Sequence, residues 1–223
     1  MEWMEDVRKN PFHVLGASPR DTREELIRRQ QELALFGEEE AGGQALAALL
    51  HPLTRLEAEI RWFPQTEPET VRRLIRFLEK GGQGQTIICL PTESVLARFQ
   101  ALRLQMPLFQ PENREQLTAV FHSLAAVADG LFPRQVTEEI NADRRRSGFV
   151  QLEHAAAEIS SRIRQLLQET VNFFLDRYSA DQKEWKKLSE AFKKEYQDRK
   201  SPYHNSYLIE LAGREAAFRS GPV

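Results

Sequence analysis

Cysteine is nearly absent: the 223 residues hold one, Cys89. A single thiol closes no internal disulfide and builds no multi-cysteine metal site. In its apolar run, Cys89 reads as a small core hydrophobe. Long apolar runs are missing too. The longest, such as residues 45–50 (ALAALL), fall far short of the ~20 residues that span a bilayer, so no membrane span is expected. The opening Met1-Glu2-Trp3-Met4-Glu5-Asp6 is acidic where a secretory leader is basic and then apolar. These absences together predict a cytoplasmic location. Glycines gather at Gly81-Gly82-Gln83-Gly84 without the Lys-Ser/Thr that completes a phosphate loop. The five histidines, His13, His51, His122, His154 and His204, are scattered, and none has a His or Cys neighbour at metal-ligand spacing. No catalytic constellation, metal site or cofactor is expected, and the chain reads as non-enzymatic.

An excess of one charge is lacking as well. The chain carries 31 basic and 33 acidic side chains, a net charge of −2, so its global charge names no partner. Two local basic clusters stand out. Arg144-Arg145-Arg146 ends a helical stretch, where cations complement the helix dipole. Lys183, Lys186, Lys187, Lys193, Lys194, Arg199 and Lys200 decorate a later one, interleaved with Glu184, Glu190, Glu195 and Asp198. Interleaving of this kind is the pattern of a solvated, salt-bridged face. Nucleic-acid binding is the weaker reading, kept as an accessory-factor alternative.

What is present is helical periodicity. Apolar residues make up 41% and charged residues 29%, enough to bury a core. Strand character is confined to residues 85–90 (QTIICL). An all-α fold follows. A short helix is expected over 11–16, opened by Pro11. The next begins at Thr22, where Thr22-Arg23-Glu24-Glu25 spells a capping box, and Gly37 ends it. Helices are further expected over 43–50, 53–63, 67–80, 92–106, 112–129, 133–147, 149–178, 182–199 and 207–218, with prolines at many of the breaks. The helices over 149–178 and 182–199, joined by Ser179-Ala180-Asp181, predict a long antiparallel hairpin. Residues 1–65, 66–148 and 149–223 are read as an N-terminal module, a helical middle region and a C-terminal interaction region.

The N-terminal module resembles a family. Asn10-Pro11-Phe12-His13-Val14-Leu15-Gly16, then Ala17-Ser18-Pro19 through Glu24-Glu25-Leu26, Leu33-Ala34-Leu35, Ala45-Leu46 and Leu50-His51-Pro52-Leu53-Thr54-Arg55 run in step with the J-domain of DnaJ-type co-chaperones. With Arg61-Trp62-Phe63-Pro64 closing it, the region is similar to a bacterial group of degenerate J-like proteins. The resemblance implies a small helical unit over residues 10–63, with Leu15, Leu26, Leu33, Leu46 and Leu56 facing one core. It also implies that Arg23, Arg28 and Arg29 match the basic second helix that docks on a DnaK-type chaperone. One departure bears on function. The His-Pro-Asp tripeptide that triggers ATP hydrolysis is replaced, in register, by Glu38, Glu39 and Glu40. No stimulation of a chaperone ATPase is expected.

The expected function is therefore a protein–protein interaction adaptor or scaffold. Its runner-up is a pseudo-co-chaperone that docks on a DnaK-type chaperone without activating it. The candidate partner-binding residues are Arg23, Arg28 and Arg29 together with Phe173, Phe174, Trp185, Phe192 and Tyr196, because large aromatics beyond what one helix seam needs are enriched at binding hot spots.

Overall fold

The structure, a computed structural model, describes residues 2–81, 90–109 and 114–178 together with residue 190. The described residues are helical and contain no strand. Ten α-helices follow one another: α1 Glu2–Lys9, α2 Pro11–Val14, α3 Arg23–Leu35, α4 Glu39–Leu50, α5 Pro52–Ile60, α6 Pro68–Glu79, α7 Val95–Gln105, α8 Arg114–Ala128, α9 Pro133–Ser147 and α10 Ala156–Tyr178. The expected strand-like residues 85–89, the helices over 182–199 (residue 190 apart) and 207–218, and with them the second half of the expected C-terminal hairpin, lie outside the described residues.

Local signals set the ends of the helices. Asn10 caps α2 by accepting the Phe12 amide at 3.0 Å, and its own amide donates to the Ala58 carbonyl at 3.1 Å. The capping box at α3 is formed in full: the Thr22 amide donates to the Glu25 carboxylate at 2.7 Å, and the Glu25 amide donates to the Thr22 hydroxyl at 3.3 Å. Gly37 (φ 84°) turns the chain out of α3, with the Glu38 amide on the Leu33 carbonyl and the Gly37 amide on the Ala34 carbonyl. This is the paired bonding of a Schellman end. The connection between α3 and α4 is thus Phe36-Gly37-Glu38, short enough to fold them back on each other as a hairpin, and the two helices pack along their length. Proline at the first turn starts α5, α6 and α9.

One apolar core runs from α1 to α10. Of the five leucines expected inside, Leu15, Leu26 and Leu56 are buried, whereas Leu33 and Leu46 are partly buried against the core. Phe12, Trp62 and Phe63 are buried, with ring centroids 6.1 Å apart for Phe12–Trp62 and 5.5 Å for Trp62–Phe63. The opening and closing motifs of the N-terminal module therefore pack on each other.

Some features differ from expectation. Helix α4 starts at Glu39 rather than at 43. Helix α1 was not foreseen; Met4 and Val7 anchor it in the core. The long late helix starts at Ala156 rather than at 149. Gly148 (φ 73°) ends α9, and residues 149–155 form a strap held by other contacts. The Arg144 guanidinium donates to the Val150 carbonyl at 2.9 Å. Asn141 clamps Leu152 through bonds of 2.7 and 3.2 Å. Those side-chain bonds outcompete a helical start.

The interior is not wholly apolar. Glu59, 1% exposed, lies between two buried arginines. Arg55 donates to it at 2.8 Å along α5, and Arg144 of α9 donates to it through two nitrogens at 3.0 and 2.7 Å. The Arg55 guanidinium also reaches the Pro19 and Leu49 carbonyls and stacks 3.6 Å from the centroid of the Phe149 ring. Next to it on α9, buried Asp143 accepts Arg20 at 2.9 Å and the Gln65 amide at 2.7 Å. One turn earlier, Glu139 accepts the Ser94 hydroxyl and the Val95 and Leu96 amides, satisfying the free donors at the start of α7. Helix α9 therefore fastens the N-terminal module to the rest of the chain through buried charge as well as through the apolar packing of Val136 and Ile140.

Removing one partner of a buried ion pair leaves the other charge uncompensated, which costs about 3–5 kcal/mol. Glu59→Leu strands both Arg55 and Arg144, and a loss of that size in urea-monitored unfolding is expected. A change of under about 1 kcal/mol would mean that the pair contributes little net stability, as exposed pairs do.

Candidate functional site

Three places on the described surface could engage a partner or ligand. The first is the α3–α4 hairpin. Its inner side is committed to the core through Leu26, Ala45 and Leu49. Its outer side carries Arg23, Ile27 and Arg28, all exposed. Arg28 pairs with Glu32 one turn on, a contact between two exposed side chains. Arg29 is different. It is partly buried and donates to Asp21 at 2.7 Å, so it steadies the turn before α3. The three arginines named from the sequence are thus on one helix, with Arg23 and Arg28 presented outward and Arg29 turned toward the body. At the tip, Leu35 and Phe36 are 85% and 82% exposed. The helix closes at Leu35, and Phe36 swings into solvent as the cap residue. Of the three glutamates at the tripeptide position, only Glu38 lies in the connection, while Glu39 and Glu40 form the first turn of α4.

The second place is a cleft of about 880 Å³ between the N-terminal module and α10, lined by Asp6, Lys9, Glu57, Arg61, Glu169 and Phe173 among others. Phe173 is half-buried against the core and forms part of this wall. The side chain of Phe174, and Trp185, Phe192 and Tyr196, lie outside the described residues. Arg61 organises the cleft: it donates to Glu57 at 2.7 Å and grips both oxygens of Glu169 at 2.9 and 3.2 Å. Arg103, almost fully buried, reaches Glu169 at 3.1 Å. Burial pushes the Arg103 guanidinium down to about 10, still charged at neutral pH. Burial alone would raise the Glu169 carboxyl, but the bonds and charges of Arg61 and the charge of Arg103 outweigh it and hold it below its ordinary value. A carboxylate so held takes up no proton near neutrality, so this cluster works as a brace between α5, α7 and α10.

The third place is a pocket of about 300 Å³ floored by Phe12, Trp62 and Phe63, with His13, Arg29 and Arg72 at its rim. Burial lowers the His13 pKa, which keeps the imidazole neutral beside Trp62.

Of the run Arg144-Arg145-Arg146, Arg144 is consumed by Glu59, and Arg145 and Arg146 face solvent. Among the described residues, no group of three or more His, Cys, Asp or Glu side chains is placed to hold a metal ion, and no helix is long and apolar enough to cross a membrane. No family model matches the chain, and neither a curated protein nor a solved structure matches it.

The Glu169 brace has a pH signature. A carboxyl whose folded pKa lies below its unfolded value adds stability that is complete above the unfolded value and lost as pH falls through the folded one. With an ordinary glutamate value of 4.5, the loss begins near there and deepens with acid. Glu169→Gln should flatten the fall in stability between about pH 6 and pH 3 in urea melts. An unchanged acid limb would show that Glu169 is not the group responsible.

Proposed function

We propose that this chain is a non-enzymatic adaptor or scaffold, acting in the cytoplasm, whose residues 10–63 are a degenerate J-domain used to hold another protein. One observation carries the reading. The α3–α4 hairpin is fastened from within by buried Leu26, Ala45 and Leu49 and by Arg55 on the Leu49 carbonyl, while its outer face and tip, including Leu35 at 85% and Phe36 at 82%, are left to solvent. Large exposed apolar side chains on a rigid support are what a recognition surface requires. The packing of Phe12 on Trp62 supports the kinship, since it joins the two ends of the resembling stretch.

The second reading, docking on a DnaK-type chaperone, is favoured by Arg23 and Arg28, which stand exposed on the helix that the resemblance assigns to that contact. Docking of this kind leaves ATP turnover unchanged. The connection is only Phe36-Gly37-Glu38, and the positions of the triggering tripeptide carry carboxylates, two of them already wound into α4. Nucleic acid is the weaker partner, because Arg144 is spent inside the fold. Phe173, Phe174, Trp185, Phe192 and Tyr196 remain a second candidate surface. Its test needs a cut after residue 178 rather than after 148, because Ile159, Ile163, Leu166 and Leu167 of α10 belong to the core.

The reading is tested by affinity capture from the native host with the full chain, Arg23→Glu/Arg28→Glu, Leu35→Ser/Phe36→Ser, and the chain ended at 178. A partner protein lost from at least one hairpin variant whose circular dichroism is unchanged is the expected result. A partner lost only from the shortened chain would move the site to the C-terminal region. Stimulation of a DnaK-type ATPase to the level of an intact J-domain would overturn the non-activating reading.

A further inference from the structure

We infer that the tip of the α3–α4 hairpin is built to take a cationic, apolar-bearing segment of a partner protein; the inference rests on the adaptor reading and names the chemistry of what is held. The sequence between residues 30 and 54 holds four glutamates, Glu32, Glu38, Glu39 and Glu40, and no lysine or arginine. All four are exposed. Glu32 is engaged by Arg28 and Glu40 by Gln44 at 3.3 Å, so the negative charge at the connection is offset by no nearby cation on its own stretch of chain. Helix stability accounts for part of this. Glu39 and Glu40 sit in the first turn of α4, where carboxylates complement the dipole. It does not account for Glu38, whose side chain makes no capping bond, nor for the apolar pair beside it.

Leu35 and Phe36 lie within six residues of Glu40, a length of chain that spans no more than ~20 Å even when extended. Two exposed apolar side chains therefore stand within a few residues of three exposed carboxylates. A partner that covers this pair would desolvate an apolar anchor, with an aromatic at its heart, beside a charged border, which is the anatomy of a binding centre. Two side chains are too small an area to hold a partner alone, so charge must supply the encounter, and only a cationic partner gains from it. The same carboxylates argue against a membrane, whose anionic surface repels them. A second copy of the chain is a distinct outcome, because α6 presents Arg72, Arg73 and Arg76 to solvent and a tip-to-α6 contact would be head-to-tail.

The test is fluorescence anisotropy of the full chain with a labelled lysine–leucine peptide of about five helical turns, and with its glutamate–leucine counterpart. The expected result is binding of the cationic peptide that weakens steeply as salt rises from about 0.03 to 0.3 M. Leu35→Ser/Phe36→Ser and Glu38→Gln/Glu39→Gln/Glu40→Gln should each weaken it by roughly tenfold or more. Circular dichroism melts of the variants show that the hairpin is intact. Equal binding of the anionic peptide overturns the inference, as does cationic binding that neither variant changes. Phe36-dependent adsorption to phosphatidylglycerol vesicles, or self-association abolished by the tip variants, replaces it with a lipid or a second copy. The adaptor reading is separable: host capture that depends on Arg23 and Arg28 but not on the tip leaves that reading standing while this inference falls.

Discussion

A glutamate with no access to water holds this structure together. Glu59 lies between Arg55 of its own helix and Arg144 of α9, and each of the three is at most 3% exposed. Taking such charges out of water is costly, and the pairing repays it only when geometry is good and the remaining donors are satisfied. Here they are. Arg55 spends its other nitrogens on the Leu49 and Pro19 carbonyls and lays its face on Phe149, while Arg144 reaches the Val150 carbonyl. Each of these bonds lands on a different piece of chain, so one carboxylate fixes the end of α4, the turn before α3, and the strap after α9. Hydrophobic packing could hold the same elements together, but it is non-directional and would not set their register as sharply.

That network also shows where sequence reading succeeds and where it stops. The capping box at Thr22, the glycine end of α3 and the proline starts are local chemistry, legible because residues within a few positions satisfy one another. Helix α1 is not legible in the sequence because Met4 and Val7, the buried residues among those described in it, are too few to make a period stand out. The strap was merged into α10, since nothing in residues 149–155 announces that Asn141 and Arg144 will claim their backbone. Arg144 itself reads from the sequence as one of a basic cluster with Arg145 and Arg146 at a helix end. A signal was nevertheless available: Val136, Glu139, Ile140, Asp143, Arg144 and Ser147 fall on one helical face, and all are buried. Charged residues in step with an apolar period mark an interior salt network, and Arg55 and Glu59 alongside Leu56 and Ile60 repeat the pattern on α5. Of the residues that the resemblance names as partner-binding, Arg23 and Arg28 stand outward, whereas Arg29 is drawn in by Asp21, a pairing with the loop before the helix that the resemblance does not display.

The division of labour on the hairpin follows from its packing. Because Leu26, Ala45 and Leu49 hold its inner side against the core, its outer face contributes little to stability and is free to carry what a core would not tolerate: two exposed arginines, an exposed leucine and phenylalanine, and a run of carboxylates. Recognition on a braced support avoids much of the ordering cost that a loose segment pays on binding. The brace formed by Arg61, Arg103 and Glu169 does for α10 what Glu59 does for α9, tying a late helix to the N-terminal module across the cleft.

The most direct test of the claim that Glu59 unites these elements is native-state hydrogen exchange on Glu59→Gln, which keeps the side chain's shape and removes its charge. The account predicts that amides of α5, the second half of α9 and α3 lose protection together, as parts of one cooperative unit. Loss of protection confined to α5, with α9 and α3 exchanging as in the unaltered chain, would contradict it.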